Sequence, residues 1–463
     1  MVRLLHHSDL EGVYDDPDRV GRLVGRLRSL DGPDAVVCGT GDDLAPGVLA
    51  LVERGRQALD LFDAAGTAVE TFGNHDFDFG TERALSLVRE AAPTWLSTNV
   101  RRDGGRFGAD AGVRRSLLRE TDGTTVGFLG LTDPDTAAIN PKAAGLTFTD
   151  PVDATRRAAA DLRDRGAEYV VVLSHLGAGD EALARATDVD AVLGGHVHSR
   201  RVDEVAGTLL TRPGAGGRAV AEVDLAAAEA RLHDADGPVA SNVAERFRGR
   251  AREAGLDEQV ARVSEPVPRD DATTFGGECR VGNFVAEAFR AVGDADVGLV
   301  NSGGLRSGDP LYGAVTRADL VGLLPFEEPL TVAAVSGARL RGALSAAHGE
   351  SLGFGEPDWW HAHLAGARVT YDTAAGRVQE LRVGGVSVDP DATYEVALPD
   401  FLLRTDREFP ALGPQDRERE GPVQYEALVT YARDHGIDAE TDGRVRVTGT
   451  AVAPDEPTGV VER

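Results

Sequence analysis

Seven residues able to donate oxygen or nitrogen to a cation recur in this chain, each just after a short apolar run. Asp9 and Glu11 stand in Ser8-Asp9-Leu10-Glu11 after residues 2–7, and Asp42 in Gly39-Thr40-Gly41-Asp42-Asp43 after 35–38. Asn74 opens Asn74-His75-Asp76-Phe77-Asp78 after 68–72, and His175 follows 169–173. His196 and His198 close Gly194-Gly195-His196-Val197-His198 after 191–193. Alone, Asn beside His is ordinary turn chemistry, and one His-x-His pair says little. In open α/β sheets, however, ligands gather outside the carboxyl ends of the strands. Five such ends bringing Asp, Glu, Asn and His to one edge describe a metal site. Two divalent cations sharing one carboxylate, with nitrogen and oxygen donors on either side, can clamp a phosphate ester and activate water.

Strands must carry these ends, and helices must return the chain between them. Residues 2–8 read as a buried strand. Asp15-Asp16-Pro17 then supplies capping carboxylates and a first-turn proline. Val20, Leu23, Val24, Leu27 and Leu30 follow at helical spacing. Strands at 35–38 and 68–72 alternate with helices at 48–64 and 81–91. The alternation continues through strand 125–131, helix 154–165, strand 169–173, helix 180–186 and strand 191–193, which argues α/β layers. Strands at 202–211 and 219–225 close a first domain of residues 1–230. Asp234-Ala235-Asp236-Gly237-Pro238 and the Arg-, Glu- and Ala-rich stretch after it predict a helical linker over 231–262. A second α/β domain is expected over 263–450, with helices at 281–292 and 423–433 and strands at 297–300, 331–335, 368–371 and 394–398. Residues 451–463 read as a flexible acidic tail.

A chain of 463 residues is too long for one ordinary core. At 42% hydrophobic it is not a disordered protein. Its net charge of −27, with Lys142 as the single lysine, repels nucleic-acid phosphate and anionic membranes and argues against both as partners. Acids spread along an almost lysine-free chain resemble the proteins of salt-loving archaea, where salt screens self-repulsion. No apolar run reaches the length of a membrane span. The first residues are too quickly polar for a secretory leader. The expectation is a cytoplasmic protein, or an extracellular one if a leader has been removed. Cys38 and Cys279 read as small buried residues, not as a disulfide framework. Oligomeric state is left open by the sequence.

The ordered set of motifs resembles the calcineurin-like metallophosphoesterases. More narrowly, it is similar to the 5′-nucleotidase family that includes UDP-sugar hydrolases and 2′,3′-cyclic-nucleotide phosphodiesterases. That family shows Asp-x-His, Gly-Asp, Gly-Asn-His-(Glu/Asp), a lone His and Gly-His-x-His in this order. The resemblance covers nearly the whole length and implies an N-terminal layered α/β/β/α metallophosphoesterase domain with a C-terminal 5′-nucleotidase-type α/β domain. It implies that Asp9, Glu11, Asp42 and His198 hold one metal. Asp42 would bridge to a second, held also by Asn74, His175 and His196. His75 would act on the phosphoryl transition state or protonate the leaving oxygen, steered by Asp78. Glu11 departs from the pattern, standing where the family has His. A carboxylate there leans toward Mn²⁺, with Zn²⁺, Mg²⁺ or Co²⁺ also accommodated.

The resemblance further implies that the second domain recognises a small-molecule nucleotide. Asn301-Ser302-Gly303-Gly304-Leu305-Arg306, Leu324-Pro325-Phe326 and Asp400-Phe401 match the family's loop, aromatic and Asp-Phe segments. Asn301, Gly303, Gly304, Arg306, Phe326, Phe401 and Asp406 are therefore the expected substrate residues, with two aromatic faces stacking on a base. The loop after Phe401 and the stretch Gly277-Glu278-Cys279 depart from the pattern. The implied reaction is metal-dependent hydrolysis of nucleotide phosphate esters, most simply a 5′-nucleotidase. A 2′,3′-cyclic-nucleotide phosphodiesterase or a nucleotide-sugar pyrophosphohydrolase shares that chemistry. A non-catalytic nucleotide-binding protein is the alternative from another class.

Overall fold

The computed structural model describes residues 2–352, 356, 358–405 and 407–449. It divides the chain into two units, Met1–Leu256 and Asp257–Arg463. The tail expected at 451–463 and the candidate Asp406 lie outside the described residues.

Among the described residues the first unit holds two six-stranded sheets. One runs Glu229–Asp234, Ala219–Asp224, Arg3–His7, Ala35–Gly39, Thr67–Thr71, Thr94–Leu96 from edge to edge. The other runs Arg201–Val205, Thr208–Arg212, Ala191–Gly194, Tyr169–His175, Thr124–Thr132, Ser116–Thr121. The last four strands of the first sheet are mutually parallel, and so are the middle four of the second. Parallel pairing aligns their carboxyl ends, with His7 opposite Gly39 and His175 opposite Thr132.

Side chains alternate across a strand, and here both faces are apolar. Val171 and Leu173 point between the sheets, where they join Leu4, Val36, Cys38 and Val69. Val170 and Val172 point outward to Ala154, Ala158 and Leu162 of helix Pro151–Asp164. The result is a layered α/β/β/α unit, each fully buried Leu or Val contributing about 1.5–3 kcal/mol. Helix Pro17–Leu30 starts as its sequence predicts. Asp16 accepts the N–H groups of Asp18 and Arg19, and Pro17 occupies the first turn.

Two expectations are corrected here. The stretch 231–262 is not a linker. Strand Glu229–Asp234 pairs with Ala219–Asp224 as the edge of the first sheet. Helix Ser241–Glu253 buries Val243, Ala244 and Phe247, and Phe247 stacks on Tyr14 at 5.6 Å. Pro238 lies so close to the first helix that a Cβ on Gly25 would sit 2.5 Å from its carbonyl oxygen. Arg250 of that helix donates to Asp60 at 2.7 Å and pairs with Glu53. The boundary falls at Leu256, and Gln259–Val267 is already a strand of the second unit. The helix expected over 48–64 is also two, Val48–Glu53 and Gln57–Ala65. Arg54 and Gly55 between them both have positive φ, which ends a right-handed helix.

The second unit is built on a five-stranded sheet ordered Ala362–Ala365, Val297–Asn301, Thr393–Pro399, Pro329–Ser336, Arg417–Val423 among the described residues. Helices Arg280–Val292 and Gln424–His435 cover one face through Val281, Phe284, Val285, Ala288 and Leu428. Helix Gly337–Ser345 and the hairpin Ala367–Asp372/Arg377–Val383 pack in a second core with Leu340, Val369 and Leu381. No described helix is long and apolar enough to cross a membrane.

Candidate dinuclear metal centre

The predicted ligands meet at the carboxyl edge of the first unit's two sheets. Asp9 follows strand Arg3–His7, Asp42 follows Ala35–Gly39 and Asn74 follows Thr67–Thr71. His175 ends Tyr169–His175, and His196 and His198 follow Ala191–Gly194. Asp9, Glu11, Asp42 and His196 all have positive φ, between 47° and 70°. Such strain persists only where surrounding bonds over-determine it, and they do. The N–H of Asp9 donates to Gly41 O at 3.0 Å, and that of Glu11 to Asp42 O at 3.1 Å. The N–H of His196 donates to Asp9 Oδ1 at 2.9 Å. The loops also touch at their glycines, since a Cβ on Gly73 would lie 2.1 Å from Asp42 Oδ1.

Two ligand trios result. Asp9, Glu11 and His198 bring ligand atoms within 4.8 Å of one another, and so do Asp42, His175 and His196. His198 Nε2 lies 3.0 Å from Glu11 Oε1. His175 Nε2 lies 3.0 Å from Asp42 Oδ2, while its Nδ1 contacts Thr40 O at 2.7 Å. That backbone contact commits Nδ1 as a donor and leaves Nε2 as the nitrogen that faces the carboxylate and that a cation would take in place of its proton. Asn74 Oδ1 and His175 Nε2 are buried with no hydrogen-bond partner. Orphaned donor atoms of this kind are costly unless a cation takes them.

The electrostatics agree. Burial pushes the Asp9 and Glu11 carboxyls above their ordinary range. Burial works against a charged His175, yet the Asp42 and Asp9 carboxylates hold its imidazole up to about 10. The pocket is short of positive charge, and its nitrogen, carboxylate and amide donors suit borderline or hard divalent ions.

His75 sits beside the trios and is not folded into the interior; its side chain is 40% exposed. Nδ1 meets Asp78 Oδ2 at 3.0 Å. Burial works against its charged form, but the Asp78 hydrogen bond and the Asp42 charge raise it to about 9. Three partners escaped sequence reasoning. Asn140 Nδ2 donates to Asp78 Oδ1 at 2.9 Å and to Asn74 O at 2.8 Å, holding both motif residues at once. Asp133 Oδ2 stands 3.7 Å from His196 Nε2. Asp76 accepts N–H groups from Gly73, Asp42, Asp43 and Leu44 and so clasps the Asp42 loop. Asp133 also follows a strand, Thr124–Thr132, and that position was the signal available for it.

In the second unit the structure brings part of the expected set together. Asn301 Nδ2 donates to Glu408 Oε2 at 2.7 Å, and His361 Nε2 meets the same oxygen at 2.8 Å. Gly303 and Gly304 form the turn after Asn301, and Arg306 donates to Gly303 O at 2.9 Å. The Arg306 guanidinium lies 4.8 Å above the Phe326 ring centroid, a cation–π contact. Phe401 is 41% exposed on the turn Asp400–Leu403. Glu408 and His361 went unseen in the sequence, as did the Phe275–Trp359 stack at 4.0 Å. The Trp359-Trp360 pair was the available signal for that stack.

Comparison with known proteins bears on both units. Residues 2–200 match the family model described as calcineurin-like phosphoesterase. Residues 259–414 match that of the 5′-nucleotidase C-terminal domain. The chain is 26% identical over 446 residues to endonuclease YhcR of Bacillus subtilis, covering 86% of this chain and 36% of that protein. It therefore spans about a third of that relative's length. It is 25% identical to a probable 5′-nucleotidase of Treponema pallidum, covering 91% of this chain and 87% of that one. The crystal structure of a 5′-nucleotidase precursor from Thermus thermophilus has the same fold. The TM-score is 0.66 at 22% identity, over 97% of this chain and 100% of that one.

Proposed function

For a chain that joins a calcineurin-like phosphoesterase domain to a 5′-nucleotidase C-terminal domain, we propose a two-metal hydrolase that releases phosphate from nucleoside 5′-monophosphates. The observation that carries it is the pair of ligand trios at one sheet edge, with Asn74 Oδ1 and His175 Nε2 buried and without a hydrogen-bond partner. Asp9, Glu11 and His198 would hold one ion, and Asn74, His175 and His196 the other. Asp42 would be the carboxylate shared by both. Glu11 adds a charged oxygen donor, which favours Mn²⁺ over Zn²⁺. When bound, such ions supply positive charge to the phosphoryl oxygens and make water a better nucleophile at neutral pH.

The chain's own groups do the rest. Asp78 takes the Nδ1 proton of His75 in a hydrogen bond, so the partly exposed Nε2–H is the one free to act. As water's oxygen forms its bond to phosphorus, the bond from phosphorus to the ribose oxygen breaks. His75 Nε2 gives its proton to that departing oxygen, and Asp78 holds the charged ring until it does so. The water's protons leave on the phosphate, which can return one to the neutral imidazole. Asn140 fixes Asp78 and the Asn74 backbone, which keeps the acid in register with the ligands. The positive charge held on His75 also attracts the phosphate monoester dianion.

The second unit is assigned the nucleoside. Phe326 has one face taken by Arg306, so the exposed Phe401 is the cleaner aromatic to test. Phe401→Ala is expected to raise KM for a nucleoside monophosphate by ~5–150-fold, the equivalent of one lost stack of ~1–3 kcal/mol. KM for glycerol phosphate, which has no base, is expected to stay put. Equal losses on both substrates would make Phe401 structural and withdraw the nucleotide assignment. Nucleoside cyclic phosphates and nucleotide sugars belong in the same panel.

A further inference from the structure

A third cluster of metal-ligating side chains lies buried among the strands beneath the Asp42 loop, and the reaction above does not use it. His7 ends strand Arg3–His7, Glu70 lies within Thr67–Thr71, and Asp43 follows Ala35–Gly39, the strand between them. Their exposures are 1%, 0% and 0%, and their ligand atoms lie within 4.8 Å of one another.

Each side chain is anchored by one end. His7 Nε2 contacts Thr67 Oγ1 at 3.0 Å. Asp43 Oδ1 accepts the Leu10 N–H at 3.2 Å. Glu70 Oε1 accepts the N–H groups of Thr71 at 2.9 Å and Gly41 at 3.2 Å. The other ends, His7 Nδ1, Asp43 Oδ2 and Glu70 Oε2, are buried and make no hydrogen bond. Anchoring the far atom of a ligand while freeing the near one is how proteins aim donors at an ion.

His7 Nδ1 and Asp43 Oδ2 are 3.0 Å apart without hydrogen-bond alignment. The candidate ligands His175 Nε2 and Asp42 Oδ2 stand at the same 3.0 Å, and His175 Nε2 is equally orphaned. His7 and Asp43, at the ends of two adjacent strands, therefore repeat the His–Asp donor spacing of the centre already described. The two carboxylates bring up to two negative charges, which one divalent ion cancels. Left alone they are expensive. Burial, then the neighbouring Asp43 and Asp76 charges, push the Glu70 carboxyl well above its ordinary range.

We propose that His7, Asp43 and Glu70 bind a third divalent transition-metal ion, Zn²⁺ or Mn²⁺, distinct from the dinuclear pair. One imidazole and two carboxylates are a donor set such ions take. With all three ligands shut from solvent, the ion is structural. It ties three strands together and fixes Asp43, the residue after Asp42.

Anomalous diffraction from crystals of the whole chain grown with Zn²⁺, or with Mn²⁺, tests this directly. The expected result is a peak within ~2.0–2.2 Å of His7 Nδ1 and the free carboxylate oxygens. It should persist in Asp42→Asn protein, whose dinuclear centre is expected to be unloaded. Elemental analysis of Glu70→Gln protein is expected to show one ion fewer per chain than wild type. Should Glu70→Gln fail to fold, the wild-type map alone decides. Crystals soaked with either metal that show the dinuclear peaks but none between His7, Asp43 and Glu70 would overturn the proposal. The cluster would then be holding a shared proton. A peak at this cluster and none at the trios would instead sink the dinuclear reading and leave this one standing.

Discussion

Asp42→Asn is expected to abolish turnover and empty the dinuclear centre. Asp42 is buried and stands in the trio with His175 and His196 and in a further one with Glu11 and His75. Oδ1 accepts the His75 N–H at 2.7 Å, and Oδ2 faces His175 Nε2. Asparagine keeps the shape and can still accept the backbone N–H, so the loop has reason to keep its fold. It removes the one negative charge that both ions would share. Losing both ions forfeits several kcal/mol of transition-state charge stabilisation, a fall of ~10³-fold or more in kcat/KM. Turnover and elemental analysis on the same preparation measure it. A variant near wild type in both would show that Asp42 bridges nothing.

The second large effect belongs to His75→Ala. His75 is not in either principal trio, and its Nδ1 is committed to Asp78. Its removal should leave the dinuclear ions in place while kcat falls by ~10²–10⁴-fold on a nucleoside monophosphate. A ribose alkoxide needs a proton to leave, whereas an aryl oxide needs it less. The loss is therefore expected to shrink on an aryl phosphate. The same loss on both substrates would assign His75 to electrostatic stabilisation in place of proton transfer.

Much of the candidate site was legible because each ligand is announced locally. A β-branched or apolar run followed at once by Asp, Asn or His marks a strand end, and the order of strand ends sets one edge. Asp9, Asp42, Asn74, His175, His196 and His198 all sit where that logic puts them. What supports them was not legible. Asn140 reaches Asp78 and the Asn74 backbone from 62 and 66 residues away, and nothing in its own neighbourhood announces the contact. Asp76 reads as one more acid of a polar loop. Its role depends on the Asp42 loop folding back over it from a different strand. The trio of His7, Asp43 and Glu70 is invisible for the same reason, being defined by three adjacent strands and no motif.

The error over 231–262 has a different origin. Charged residues dominate helix Ser241–Glu253, so its apolar stripe of Val243, Ala244 and Phe247 is easily overlooked. Arg250 finds its partners, Asp60 and Glu53, on the first unit, whereas the Arg-, Glu- and Ala-rich composition suggested a connector. In the second unit the family-like segments fall on the turn after Asn301 and on the Arg306–Phe326 contact. They said nothing of Glu408, whose carboxylate joins Asn301 to His361.

The central claim is that this chain cleaves a nucleotide phosphate ester with metals held at the carboxyl edge of its first unit. The most direct measurement is inorganic phosphate released from a nucleoside 5′-monophosphate by chelator-treated protein, before and after Mn²⁺ is restored. The account expects no release without metal and full release with it. Release that is undiminished in chelator, or nucleotide binding with no phosphate released under any divalent metal, would contradict it.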